Sequence, residues 1–290
     1  FFRPHTPFVA PKKYFDLYDR EKIEIPKISS DYLATLPEPA VKSIRAKKNQ
    51  LNLEKELAQE IKEAYYSTIS FVDAQVGRLL DHLKSSGLDK NTIVVFTSDH
   101  GYHMGEHGHW QKQTLFDNAT RIPLIISFPN MKNKGGISKS PVELIDLYPT
   151  LMDLTGINIP EHVVGKSLEP LMKNLKASVR GSALTRWRKG YSIKTKRFRL
   201  TKWGSTGELG YELYDHKNDK KELINLARNQ DYNEIMDSLK LVIEQRIIEA
   251  SIKPKGLGRQ FEDAKPTPKA KNITFGDIHA VNGEILYFKK

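Results

Sequence analysis

The sequence predicts a layered α/β fold: a mostly parallel sheet with helices on both faces, then a smaller antiparallel sheet with a packed helix. Three observations carry this. Leu53, Leu57, Ile61, Tyr65, Ile69, Val72, Val76, Leu79 and Leu83 recur at spacings of three and four, the stripe of one long amphipathic helix. That helix feeds Ile93-Val94-Val95-Phe96, a charge-free apolar run that reads as a buried strand of a parallel sheet. Beyond residue 190 the period becomes two. Tyr191 and Ile193, then Phe198 and Leu200, alternate with polar residues, as in antiparallel strands with one wet face.

The remaining elements follow in order. Residues 1–50 are rich in charge and proline, and Pro4, Pro7 and Pro11 exclude a regular helix at the start, so this stretch reads as irregular surface. Gly87 is placed to end the long helix. Ile122-Pro123-Leu124-Ile125-Ile126 predicts a second buried strand, with Pro123 at its beginning. Ser140-Pro141-Val142-Glu143 fits a capping box for a helix reaching about Leu154, with Gly156 after it and Pro149 marking a kink or a second start. Ile235, Leu239, Val242, Ile243 and Ile247 line one side of a helix over 231–250. We place a boundary near 175, giving a large α/β part (1–175), a small sheet-plus-helix subdomain (176–250), and a tail (251–290). The tail is Lys/Pro-rich over 252–271, with a hairpin expected over 272–288 around Asn282-Gly283.

Composition limits the function classes. The 290 residues contain no cysteine, so neither a disulfide framework nor a thiolate metal site is available. No apolar run approaches the ~18 residues of a transmembrane helix. The chain starts at Phe1 without Met or a signal-peptide pattern, and reads as a fragment or a processed chain. The net charge is +11, and its location is informative. No acidic residue lies between Glu169 and Glu208, whereas that interval holds eleven Lys or Arg, from Lys173 to Lys202. Outside it the charges balance, so this block is a candidate surface for a polyanion, with a solvated strand face as the plain alternative. No nucleic-acid recognition motif accompanies it.

The chemistry is expected at 99–112, which holds four of the nine histidines and follows the first buried strand. Ligands of open α/β sheets bind beyond the carboxyl ends of strands. Asp99 offers a carboxylate and His100 an imidazole, and Gly101 permits the turn that brings both into one site. Two ligands are too few for Ca²⁺, which takes about 6–8, so others must come from elsewhere. His103 and His107 have the spacing of a helical zinc pair, but Gly101, Gly105 and Gly108 disfavour a helix, and the glutamate of a zinc-protease motif is missing. Loop packing is the plainer reading for His103 and His109. Lys112, just after Trp110, suits contact with an anionic substrate group. His5 taken alone reads as a surface histidine.

These segments resemble a known family. Thr97-Ser98-Asp99-His100-Gly101, Gly105-Glu106-His107-Gly108 and Trp110-Gln111-Lys112 resemble the type I sulfatases of the alkaline phosphatase superfamily, most closely the iduronate-2-sulfatase-like branch. Arg3-Pro4-His5-Thr6-Pro7-Phe8 is similar to that branch's Pro-His-x-Pro-Phe segment, and Ser70–Leu80 to the helix before its metal strand. Glu212-Leu213-Tyr214-Asp215 and Asn225-Leu226-Ala227 look like the closing strand and turn of its small subdomain. The resemblance covers about residues 1–250, in the family's order.

It implies an alkaline-phosphatase-like sandwich and hydrolysis of a sulfate ester on a sugar or sulfated polysaccharide. Asp99 and His100 would be ligands of Ca²⁺, with Mg²⁺ as the alternative ion. Lys112 and His5 would act on the sulfate, with His107 as a further substrate contact. A periplasmic, secreted or lysosome-like compartment would follow. The family's nucleophile, a formylglycine made from Cys or Ser in Cys/Ser-x-Pro-x-Arg, has no match here; Ser127-Phe128-Pro129-Asn130-Met131 lacks the arginine. The family's N-terminal Asp-Asp metal pair is also missing. The expectation is therefore a C-terminal sulfatase fragment, inactive alone, with the formylglycine upstream. Two alternatives stand: a phosphodiesterase or phosphonate hydrolase of the same superfamily, and a non-catalytic basic glycan-binding module.

Overall fold

The computed structural model describes residues 1–252 and the backbone of two short strands, Ile278–His279 and Ile285–Leu286. No helix among the described residues is long and apolar enough to cross a membrane. The first fifty residues are more ordered than their composition suggests. They contain α1 (Lys12–Phe15), α2 (Ser30–Ala34) and α3 (Glu38–Ile44). Ser29 caps α2 by accepting the Tyr32 N–H (3.1 Å), and a proline occupies the first turn of α3. Tyr32, Leu36, Ala40 and Ile44, spaced by four, enter the core, which corrects the reading of this stretch as surface.

The long helix is α4 (Lys55–Ser85), and Gly87 follows it in the left-handed region, φ +73°. Its packing differs from expectation. The buried stripe holds Gln59, Lys62, Glu63 and Ser67, while Leu57, Ile69 and Leu79 of the apolar stripe are exposed. Residues 18–24 strap this polar face. Gln59 Nε2 donates to the carbonyls of Glu21 (3.3 Å) and Ile23 (2.9 Å), Lys62 Nζ donates to the Glu24 carbonyl (2.9 Å), and Arg20 pairs with Glu63. Each buried polar atom thereby has a partner, which lets this face go inside.

The two apolar runs form β1 (Val94–Thr97) and β2 (Leu124–Ser127), separated by α5 (Asp117–Thr120). They pair antiparallel, Val94 opposite Ser127 and Thr97 opposite Leu124, which corrects the parallel, fully buried reading for this pair. The connection leaves β1 and enters β2 at the same end, closed by Thr97 Oγ1 donating to the Pro123 carbonyl (3.0 Å), so the direction must reverse. Ile125 is 61 % exposed.

The next helix also starts later than its motif suggested. Glu143, not Ser140, is the cap, in a reciprocal box with Asp146. A single 3-10 turn follows, then α6 (Leu147–Thr155) with Pro149 in its first turn, the second start foreseen from that proline. Asp146 and Glu143 then hold Arg180 beyond α7 (Glu169–Lys173), and Glu143 also pairs with Arg246.

The small sheet is a meander of β3 (Ala183–Trp187), β4 (Gly190–Lys194), β5 (Phe198–Trp203) and β6 (Gly210–Asp215), with α8 (Asn233–Ser251) behind it. Ile193, Leu200 and Leu213 face Met236, Leu239 and Ile243 of α8. The opposite face, expected to be wet, is buried instead. Trp203 and Tyr214 join Tyr32, Leu36, Ala40, Leu115 and Phe116 in one cluster. Residues 1–159 and 165–251 form one compact unit. In a second unit β7 (Ile278–His279) and β8 (Ile285–Leu286) pair antiparallel. The expected Asn282-Gly283 turn and nearly all of the expected linker lie outside the described residues.

Charge is what the buried polar face of the sheet has to accommodate. Arg199, 2 % exposed, donates to Glu222 Oε1 (2.5 Å), Asp117 Oδ1 (2.6 Å) and Ser192 Oγ (3.2 Å). Glu222 also accepts the Asp117 backbone N–H (2.7 Å) and bonds His216 Nε2 (2.7 Å). Burial alone would raise the Glu222 pKa; the Arg199 charge and the His216 bond override it and hold it down at about 2. The cluster ties β5 to the start of α5.

Three buried histidines pin the 101–112 loop. His103 Nε2 meets Thr114 Oγ1 (2.8 Å), His109 Nδ1 meets the Ile44 carbonyl (2.8 Å), and His107 Nδ1 meets the Tyr32 hydroxyl (2.5 Å) while its ring stacks on Phe116 at 3.9 Å. Burial lowers all three pKa values, His103 well below the usual value and His107 to about 4.

Two outcomes follow from these clusters. Arg199→Met strands two carboxylates and should cost about 3–5 kcal/mol in urea unfolding; a loss below about 1 kcal/mol would contradict the assignment. The histidines are neutral when folded, so stability is complete above the unfolded pKa of about 6.5 and falls as pH drops below it. His103→Gln should remove about 1.4 kcal/mol per pH unit of that acid slope between pH 6 and 5. Comparing variant with wild type isolates His103 from Glu212, whose carboxyl burial pushes up to about 7 and which acts in the opposite sense. Equal slopes would refute the role of His103.

Candidate metal and anion site

The segment after β1 folds back on α5 and is fixed there by its backbone. Gly101 N–H donates to the Ala119 carbonyl (2.8 Å), and a Cβ at Gly101 would stand 2.1 Å from the Asn118 carbonyl oxygen, so only glycine fits. The turn sets Asp99 and His100 side by side. His100 Nδ1 lies 2.8 Å from the Gly101 carbonyl, which assigns the ring proton to Nδ1 and leaves the Nε2 lone pair free. That Nε2 is 3.5 Å from Asp99 Oδ2. With metal–ligand bonds of about 2.0–2.6 Å, two donors at this separation can share one cation. The Asp99 side chain is 84 % exposed, so the remaining coordination positions open outward.

The loop then returns toward this pair. His103 N–H donates to the Gln111 carbonyl (2.8 Å) and Gly105 N–H to the His109 carbonyl (2.9 Å), so its two limbs run together. Trp110, buried on Gly105, anchors the returning limb, and Lys112 directly follows Gln111, the residue paired with His103. The Arg3–Phe8 segment approaches the loop by a different route. Phe8 packs edge-on against Tyr65 (5.3 Å) and Tyr102 (6.1 Å), two residues past His100, and this docks the Arg3–Phe8 segment beside the loop. His5 is exposed, with Nδ1 2.8 Å from the Thr6 carbonyl, which leaves its Nε2 free to meet a ligand.

His107 does not join them. It is 1 % exposed, stacked on Phe116 and bonded to Tyr32, which corrects its expected contact with substrate. The zinc alternative fails on the same geometry. The rings of His103, His107 and His109 are neighbours, but each bonds a different scaffold atom, and they do not converge as a ligand set among the described residues. Asp117, His216 and Glu222 do offer ligand atoms within 4.8 Å of one another. Arg199 already donates to both carboxylates, so that cluster is neutralised by a guanidinium and is structural.

Sequence reading missed this cluster because Asp117 and Arg199 stand 82 residues apart. One signal was present: Arg199 alternates with Phe198 and Leu200 on a strand whose other face was expected to be wet. The basic block is likewise no continuous patch. Lys173, Arg180, Arg197, Arg199 and Lys202 pair with Glu169, Asp146, Asp215, Glu222 and Glu244. Arg186 and Arg188, on the β3–β4 hairpin, lie over the rings of Tyr191 and Trp187.

Known proteins resemble this chain along most of its length. The sulfatase family profile matches residues 1–157, and the profile for the C-terminal part of N-sulphoglucosamine sulphohydrolase matches 105–249. A sulfatase of Formosa agariphila is 36 % identical over 252 residues, covering 84 % of this chain and 48 % of that protein. Human iduronate 2-sulfatase is 32 % identical over 194 residues, 54 % of this chain and 35 % of that protein. The phosphonate monoester hydrolase of Silicibacter pomeroyi superposes with a TM-score of 0.77 at 26 % identity, covering 87 % of this chain and 55 % of that one. The chain thus spans about half the length, or less, of these relatives. The chain is a member of the sulfatase family, with the alkaline-phosphatase-like fold.

Proposed function

We propose that the protein carrying this chain hydrolyses a sulfate ester on a sugar, with Asp99 and His100 holding a Ca²⁺ ion and Lys112 and His5 gripping the sulfate. The observation that supports this best is the 3.5 Å pairing of Asp99 Oδ2 with His100 Nε2 at the end of β1, in a chain of the sulfatase family. Iduronate 2-sulfatase, by its name, acts on a sulfated sugar, which favours that substrate class. The cation, when bound, supplies positive charge that polarises the sulfate oxygens.

The chain's own residues supply the rest. The Lys112 ammonium offers donors to a sulfate oxygen and to the oxygen that departs with the sugar, where negative charge develops. The His5 imidazole offers Nε2 to the same group. His100 is kept in the tautomer that presents Nε2 by its bond to the Gly101 carbonyl. The attacking group is a formylglycine outside these 290 residues, a reading that rests on the absence of cysteine and of Ser-x-Pro-x-Arg. The superposition with a phosphonate monoester hydrolase favours one alternative, hydrolysis of a phosphonate ester at the same site.

Two measurements bear on this. Ca²⁺ at about 100 times its Kd should stabilise the folded chain by about 2.7 kcal/mol, and Asp99→Ala should abolish that gain; an equal Ca²⁺ effect in the variant would remove Asp99 from the site. In the protein that carries the nucleophile, Lys112→Ala should lower kcat/KM for an aryl sulfate about 10²–10³-fold while the urea midpoint stays put. Faster wild-type turnover of an aryl phosphonate monoester than of the sulfate would decide for the alternative.

A further inference from the structure

The backbone on either side is what orients Lys112. Its side chain is half-buried, and among the described residues its ammonium has no hydrogen bond or ion pair with the protein. What the ammonium can reach is therefore set by where the 111–114 stretch lies. One residue, His103, holds that stretch on both sides of the lysine. Its N–H donates to the Gln111 carbonyl (2.8 Å), and its Nε2 meets Thr114 Oγ1 (2.8 Å). The Thr114 N–H folds back onto the Lys112 carbonyl (2.8 Å), closing a tight three-residue turn through Gln113.

The parts of this clamp are themselves immobilised. His103 and Thr114 are both buried. The His103 ring lies against the rings of His107, His109 and Phe116, at 5.6, 5.1 and 6.3 Å. Leu115 and Phe116, directly after Thr114, belong to the core cluster with Trp203 and Tyr214. A buried hydroxyl and a buried ring nitrogen that meet each other would both lose their partner if the bond broke, so the bond resists opening. His103 also stands three residues after His100. The same residue thus continues the limb that carries Asp99 and His100 and fixes the limb that carries Lys112.

We infer that His103 and Thr114 are positioning residues for Lys112: their side-chain bond, without touching substrate, fixes where the lysine ammonium meets the sulfate group. This rests on the sulfatase reading and adds to it the two residues through which Lys112 is held in place. A misplacement of about 1 Å can cost about 10²-fold in rate, so a bond this remote from the substrate still controls turnover.

A double-mutant cycle tests it, read as kcat/KM for 4-nitrophenyl sulfate in the protein that carries the nucleophile. Thr114→Val keeps the side-chain shape and removes the hydroxyl, and should lower kcat/KM about 10–100-fold. In the Lys112→Ala background the same substitution should change kcat/KM by less than about twofold, because no ammonium is left to position. Thr114→Ser, which keeps the hydroxyl, should stay within about threefold of wild type. Should Thr114→Val not fold, two His103 variants carry the test. The amide of His103→Gln reaches the place of Nε2 and should retain turnover. The amide of His103→Asn stops at the place of Nδ1 and should show the Thr114→Val loss, again only when Lys112 is present. Equal losses in both backgrounds, or no loss in the variants that lack the bond, overturn the positioning role. Lys112→Ala turning over like wild type overturns the sulfatase reading itself, whereas a large Lys112→Ala loss with additive Thr114→Val overturns the positioning role alone.

Discussion

Arg199 is the constraint on which the arrangement of this chain depends. A guanidinium on the inner face of β5 can be buried only if its donors are met, and Asp117 and Glu222 meet them from segments 82 residues before it and 23 residues after it. Because Asp117 begins α5, this bond also sets where the 112–121 segment lies. That segment forms the floor under Gly101, and Gly101 is the turn that pairs Asp99 with His100. A charge cluster in the small sheet therefore positions a candidate metal site that it never touches.

The loop between the metal ligands and Lys112 is held by a complementary device. His103, His107 and His109 each spend one ring nitrogen on a different partner, Thr114, Tyr32 or the Ile44 carbonyl. Three neutral imidazoles can crowd together in the interior where three charged groups could not, and they join the loop to α2, α3 and the stretch before α5. The histidine-rich window is consequently two things. One histidine is a candidate ligand at the exposed end of β1, and three are internal fasteners.

Much of the architecture was legible in the sequence. The four-residue repeat of α4, the Gly87 and Gly156 stops, the helix over 233–251 and the antiparallel sheet followed from local periodicity and backbone chemistry. The family motifs placed Asp99, His100 and Lys112 as candidates without any coordinates. Misreadings arose where tertiary partners outweighed local pattern. Residues 18–24 saturated the polar stripe of α4 and drew it inward, and the face of the small sheet expected to be wet was buried once Asp117 and Glu222 met Arg199. The basic block with its eleven Lys or Arg looked like one patch, but several of its charges were committed to internal ion pairs with residues remote in sequence.

By itself the sequence determined most of the elements beyond residue 50, their order, the family, and the Asp-His pair at a strand end, because these depend on spacing, turn residues and short contiguous motifs. The tertiary structure alone decided which histidines face inward, which charges are neutralised, and that β1 and β2 run antiparallel. Those outcomes depend on which distant groups meet. A buried charge or imidazole gains or loses stability through its neighbours in space, and local pattern carries no record of them.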